Sequence, residues 1–183
     1  RTPLTRLKLQ LAMINNKEIS NNMSKDIDEM ENMLNDYLQF AKSQAKESTE
    51  KISLSEILQL IKSKINNPML NLKIENEISL YGRKNALERC FSNIINNGLV
   101  YGKKVKVKVQ KSSKRAVIMI DDDGPGIPTE HYRNVFKPFF RLDQSRSLNK
   151  SGVGLGLAIV EDIVNSHGGQ IQLSSSSMGG LQV

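Results

Sequence analysis

The stretch Asp122-Asp123-Gly124-Pro125-Gly126-Ile127 follows Val117-Ile118-Met119-Ile120, an apolar run that reads as a strand. Downstream, Gly152-Val153-Gly154-Leu155-Gly156-Leu157 opens a stretch with helical spacing. Either segment alone could be a turn. Together they describe the two ends of one pocket. A carboxylate at a strand end, here Asp122, can accept from the exocyclic amine at C6 of adenine, where guanine carries a carbonyl. Gly124 and Gly126 let the backbone pass close to a flat ring. A surface turn of Asp-Gly-Pro-Gly type is the plain alternative, but it does not explain why Ile127 resumes the apolar pattern at once. At the second segment, backbone N–H groups and the helix dipole favour an anion. The spacing is GxGxG behind a polar loop, so it is not the dinucleotide fingerprint, and residues 98–104 lack the GxxxxGK[ST] phosphate loop. Adenine at one end and phosphates at the other make ATP the expected ligand.

A helix predicted over 84–100 carries Asn93 and Asn97, four apart and so on one face. Leu87, Phe91, Ile94 and Ile95 form its core stripe, which leaves the Asn face toward a cleft. An amide carbonyl is a hard oxygen ligand suited to Mg²⁺. Spacing alone fits a pair of solvated asparagines equally well in so Asn-rich a chain. Lys137, Arg141, Arg146 and Lys150 bracket the polar loop 141–151. Most read as ordinary surface charges. Arg146 is the preferred phosphate contact if the loop closes as a lid.

The chain has 183 residues, 38% hydrophobic and 25% charged, enough for one ordinary domain and a small appendage. No apolar run approaches the roughly 20 residues of a bilayer span, and no signal-peptide pattern begins at Arg1. The chain opens inside an apparent helix, as an excised piece would, and a membrane anchor could lie outside it. The formal net charge is +7. The excess is diffuse, with Lys104, Lys106 and Lys108 alternating with Val105, Val107 and Val109, which reads as the solvated face of a half-buried strand. No aromatic platform accompanies the lysines, so direct nucleic-acid binding is not expected. The charge suits docking of an acidic protein instead. Cys90, the single cysteine, sits beside Phe91 on an apolar helix face and reads as a buried free thiol.

Leu4, Leu7, Leu11 and Ile14 repeat at 3-4-3 spacing, as do Ile27, Met30, Leu34, Tyr37 and Ala41, with polar residues 15–22 between them. This predicts a helical hairpin whose two arms enclose little core alone, so two hairpins pairing into a four-helix bundle are expected. Residues 44–50 read as a linker. Ser53 and Glu56 form a capping box for the next helix, which Asn66-Asn67-Pro68 ends. Leu72, Ile74, Ile78 and Leu80 alternate as strands. Residues 105–110 and 116–121 read as a hairpin turning at Ser112-Ser113. Pro128 is expected at the first position of a short helix. A helix runs over 155–166, ended by His167-Gly168-Gly169, and Ile171 and Leu173 begin another strand. The sum is an α/β sandwich, one mostly antiparallel sheet covered on one face by helices.

The order Asn93, Asn97, Tyr101, then Asp122-x-Gly124-x-Gly126, Phe136-Lys137-Pro138-Phe139 and Gly152-x-Gly154-Leu155-Gly156-Leu157 resembles the N, G1, F and G2 boxes of sensor histidine kinases. Arg1-Thr2-Pro3-Leu4 resembles the end of their H box, and the wording is most similar to EnvZ-type osmosensors. The resemblance spans nearly the whole chain. It implies an α+β protein: a dimerisation and phosphotransfer hairpin over 1–43, the linker 44–50, and a two-layer ATP-binding (Bergerat) domain over 51–183. It implies that Asn97 holds Mg²⁺ beside Asn93 and that Tyr101 packs on adenine. Asp122 would take the adenine amine, with Gly124, Gly126 and Ile127 around the ring. Phe136 and Phe139 would anchor the lid, and Gly152, Val153, Gly154, Leu155, Gly156 and Leu157 would shape the phosphate end. Thr2 would support dephosphorylation of a response regulator by orienting a water.

The implied activity is ATP-dependent phosphorylation of a histidine, then transfer to an aspartate on an OmpR-like response regulator. The implied setting is a homodimer, the cytoplasmic portion of a bacterial inner-membrane protein. The acceptor histidine would precede Arg1, because neither His131 nor His167 sits in an H box. Val100 stands where this family usually has Lys or Arg, and Val153 where Thr, Ser or Ala is common. Losing one charged hydrogen bond costs about 1.5–3 kcal/mol, so weaker ATP binding is expected. A nucleotide-sensing dimer with degenerate kinase activity is the alternative reading.

Overall fold

In a computed structural model, the described residues are 2–12, 19–21, 23–24, 27–28, 30–31, 34, 47–113, 115–142 and 154–183. The chain divides into two compact units, Arg1–Ala45 and Lys46–Val183.

In the first unit, helix α1 spans Thr2–Ala12. The described residues between 19 and 34 are helical as well. Leu4 and Leu11 of α1 and Ile27 form a small buried cluster. Ser20 Oγ donates to the Leu11 carbonyl at 2.9 Å, satisfying an acceptor that the end of α1 leaves open. Leu7, Met30 and Leu34, from the same two apolar stripes, remain exposed.

The second unit begins with β1 (Glu50–Ser53), which pairs antiparallel with β3 (Ser79–Gly82). Helix α2 (Leu54–Ile65) starts where the capping box predicts: Ser53 is the N-cap and its side chain accepts from the Glu56 N–H. Asn66 ends it in the left-handed region at φ 45°. Leu54, Ile57, Leu58 and Ile61 lie on one helical face and are all buried. Helix α3 (Lys84–Tyr101) buries Leu87, Cys90, Phe91, Ile94 and Ile95, the predicted stripe.

The main sheet has five strands in the order β2-β4-β5-β7-β6. These are β2 (Leu70–Ile74), β4 (Val105–Ser112), β5 (Arg115–Asp122), β6 (Ser174–Ser175) and β7 (Leu181–Gln182). The β2–β4 pair is parallel and the others are antiparallel. Val105, Val107 and Val109 are buried while Lys106 is exposed and Lys108 half-buried, so the alternation read from sequence sets which face meets the helices. Helix α4 (Gly156–Ser166) buries Ala158, Ile159, Val160 and Ile163. Each buried aliphatic side chain contributes roughly 1.5–3 kcal/mol relative to exposure, so these stripes hold the helices on the sheet.

Two local expectations change. After Pro128 the chain makes a 3₁₀ turn, Thr129–His131, with Pro128 one position before it. Ile171 and Leu173 do not start the strand, since β6 is confined to Ser174–Ser175. They line a cavity of about 300 Å³ with Tyr132, Arg133, Phe136 and Glu161. Among the described residues, no helix is long and apolar enough to cross a membrane.

Candidate functional site

Strand β5 ends in two consecutive aspartates, and the pleat sends them to opposite faces. Asp121 is buried, accepting from Ser176 Oγ at 3.0 Å and from Gln182 Nε2 at 2.9 Å. Asp122 is half-buried, and its Oδ1 accepts from the Gly124 N–H at 2.8 Å and the Leu181 N–H at 3.1 Å. Two backbone donors therefore fix that oxygen and the carboxylate plane, leaving Oδ2 as the acceptor for a further donor.

Two glycines outside the predicted boxes set this position by close approach. A Cβ on Gly98 of α3 would lie 2.7 Å from Val105 Cγ2 and 3.3 Å from Asp122 Cβ. A Cβ on Gly180 would lie 2.1 Å from Asp122 Oδ1 and 2.5 Å from the Gly124 nitrogen. Spacing gave no sign of either contact, because both depend on distant segments meeting. The Gly179-Gly180 pair was the one available signal.

Helix α3 lies beside α4, and here the asparagines meet the second glycine segment. Asn93 Nδ2 donates to the Gly156 carbonyl at 3.3 Å. A Cβ on Gly156 would come within 3.7 Å of Asn97 Nδ2 and 3.9 Å of its Oδ1. Asn93 and Asn97 are half-buried while Asn96 between them is exposed, as helical spacing requires. The Asn wall thus flanks the first turn of α4, whose start is held by buried Leu155. Leu157 is half-buried in that turn.

The F segment is pinned by backbone. The Phe139 N–H donates to the Gly154 carbonyl at 3.0 Å. Both residues have positive φ, 66° for Phe139 and 77° for Gly154. Phe139 itself is 61% exposed, and residues 143–153 of the loop it was expected to anchor lie outside the described residues. Gly126 also has positive φ, at 71°, and Gly124 and Ile127 are half-buried beside it. Tyr101 is exposed at the end of α3. Arg146, Gly152 and Val153 lie outside the described residues, as does the side chain of Thr2.

His167 accepts at Nε2 from the Arg83 N–H at 3.1 Å, and its Nδ1 lies 2.7 Å from the Ile163 carbonyl. It ties the start of α3 to the end of α4. The His131 ring stacks obliquely on Phe140 at 5.8 Å. Among the described residues, no group of three or more His, Cys, Asp or Glu side chains could hold a metal. The oxygen ligands beside the first turn of α4 are the neutral amides of Asn93 and Asn97. That set suits a hard cation which completes its shell with phosphate oxygens and water.

Residues 82–183 match the family described as histidine kinase-, DNA gyrase B-, and HSP90-like ATPases. The chain is 34% identical over 198 residues to sensor histidine kinase CpxA of Escherichia coli, covering all of this chain and 43% of that protein. It is 32% identical over 192 residues to sensor histidine kinase GtrS of Pseudomonas aeruginosa, covering all of this chain and 38% of that one. It therefore spans less than half the length of these relatives. The solved histidine kinase domain of the E. coli osmosensor EnvZ aligns with a TM-score of 0.57 at 29% identity, over 76% of this chain and 88% of that one. The matched region contains both glycine segments, the Asn wall and Asp122, and the chain belongs to the family of histidine kinase-, DNA gyrase B- and HSP90-like ATPases.

Proposed function

We propose that this chain is the catalytic portion of a two-component sensor histidine kinase, binding Mg-ATP between α3, the end of β5 and the start of α4. The observation that carries the reading is the contact between Asn93 and Gly156, which sets the Asn wall against the first turn of α4. Asp122, with Oδ1 held by two backbone donors, would take the adenine amine at Oδ2, and Tyr101 would cover the ring. Asn97 would hold Mg²⁺, with Asn93 beside it. The ion, when bound, neutralises phosphate charge. The first turn of α4 offers backbone N–H groups to the phosphates. Phosphoryl transfer depends mainly on such positioning and charge stabilisation.

The γ-phosphate would pass to a histidine outside these 183 residues and then to an aspartate of an OmpR-like response regulator, with Thr2 supporting the reverse hydrolysis. Residues 1–43 would form the dimerising hairpin, 44–50 the linker and 51–183 the ATP-binding domain. Exposed Leu7, Met30 and Leu34 support pairing of two hairpins into a four-helix bundle. Any membrane attachment would run through a segment outside this chain.

Equilibrium binding of ATP with and without Mg²⁺ tests the pocket. Asn97→Ala and Asp122→Ala should each weaken binding at least tenfold, about 1.4 kcal/mol. Unchanged affinity in both would sink the assignment. Joining an H box ahead of Arg1 and incubating with labelled ATP separates kinase from nucleotide sensor. Acid-labile phosphate on the protein supports the kinase; its absence, with binding intact, favours the sensor that Val100 and Val153 motivate.

A further inference from the structure

The corner between α3 and β4 is held by a residue that neither the motif reading nor the site above uses. Asp123 Oδ1 accepts from the Lys103 N–H at 2.6 Å and from the Lys104 N–H at 2.7 Å. The Asp123 N–H donates to the Lys104 carbonyl at 3.3 Å, closing a reciprocal clasp. Within this clasp the two backbones touch. A Cβ on Gly102 would lie 2.7 Å from Asp123 Oδ1 and 2.9 Å from the Gly124 nitrogen. One on Gly124 would lie 3.2 Å from the Gly102 nitrogen and the Tyr101 carbonyl carbon. One side of the clasp therefore carries Tyr101, and the other carries Asp122 and Gly124.

We propose that Asp123 is a positioning residue that sets the width of the base slot, and so the discrimination of adenine from other bases, without touching the nucleotide. The inference rests on the reading of Tyr101, Asp122 and Gly124 as the adenine end. The carboxylate is suited to the task. Two N–H donors converge on a single oxygen, and hydrogen bonds to an ionised group are shorter and stronger than neutral ones. The Lys104 and Lys103 backbone donors hold its pKa below the ordinary carboxylate range, so the clasp is charged at neutral pH. Desolvation pulls the other way, and the two backbone donors outweigh it. Asparagine at this position keeps an acceptor oxygen and should hold the same two donors. Alanine removes it and frees the Tyr101 corner to drift from Gly124.

The test measures Mg-ATP and Mg-GTP binding to the 183-residue chain and to its Asp123→Ala and Asp123→Asn forms. Wild type should favour ATP. Asp123→Ala should lose about tenfold or more in ATP affinity, as expected for lost bonds to a charged acceptor, and its ATP-to-GTP ratio should narrow. Asp123→Asn should restore the ratio. If Asp123→Ala does not fold, Asp123→Ser, with a shorter acceptor arm, carries the same comparison. An unchanged ATP-to-GTP ratio in the alanine or serine form overturns the positioning role, even if stability falls. Failure of wild type to bind ATP at all would instead overturn the reading of the pocket itself, and this inference with it.

Discussion

Asp122 is approached from two directions: a Cβ on Gly98 of α3 would lie 3.3 Å from its Cβ, a tight contact, and one on Gly180, just before β7, would lie 2.1 Å from its Oδ1, closer than any methyl group can come. Gly180→Ala should therefore displace the carboxylate or the β7 backbone. Overpacking of this kind costs about 1–3 kcal/mol. Urea unfolding of the variant should show that loss, and an ATP titration should show weakened binding; a variant as stable and as tight as wild type would mean the backbone relaxes freely there. At this scale the sequence was informative where chemistry is local. Asp122, Gly124 and Gly126 stand out in the sequence by residue type and spacing, whereas Asn93 and Asn97 gain weight over solvated asparagines only from their place beside Gly156. Gly180 and Asp123 do not stand out, because what they do depends on which backbone lies opposite, across a sheet or a helix corner. The adjacent aspartates make the point: the pleat alone decides that Asp122 meets the helices while Asp121 binds Ser176 and Gln182.

At the level of elements, α3 carries most of the site yet has no side-chain cap of its own at Arg83. Its first free N–H groups are taken by a residue from well upstream. Glu47 accepts from Asn85 N at 2.7 Å and from Ala86 N at 3.2 Å. A carboxylate there also complements the positive end of the helix dipole. Glu47→Ala should cost about 0.5–2 kcal/mol, the range for a lost cap. Hydrogen exchange at the first turn of α3 should rise in that variant while α2, capped by Ser53, stays protected; equal exchange in both helices would contradict the capping role. Sequence reading found the Ser53–Glu56 box because its partners lie three residues apart. Glu47 carries no such local mark and sits in a linker-like stretch, because its partners lie 38 and 39 residues away. The end of the chain departs from its pattern for a related reason. The alternation of Ile171 and Leu173 fits a strand, but it is Ser174 and Ser175 that pair with β7.

Across the whole molecule, the described residues of the two units differ in how they bury their apolar stripes. The α/β unit encloses its stripes between helices and sheet. Among the described residues of the first unit, Leu4, Leu11 and Ile27 are buried together while Leu7, Met30 and Leu34 are exposed. If a second copy covers them, charges placed there must be desolvated on association, which is costly. Leu7→Lys combined with Leu34→Lys should weaken self-association at least about tenfold in sedimentation, while ATP affinity of the α/β unit holds. A wild-type chain that sediments as a monomer at high concentration would exclude the dimer. The single cysteine gives the same architecture a built-in clock. Cys90 is 1% exposed on the inner face of α3, and burial pushes its thiol up to about 12. A protonated, enclosed thiol is inert to alkylating reagents, so it can react only during moments when α3 lifts from its neighbours. The rate at which that one sulfur is modified therefore times the opening of the helix that bears Asn93 and Asn97, with no label added to the protein.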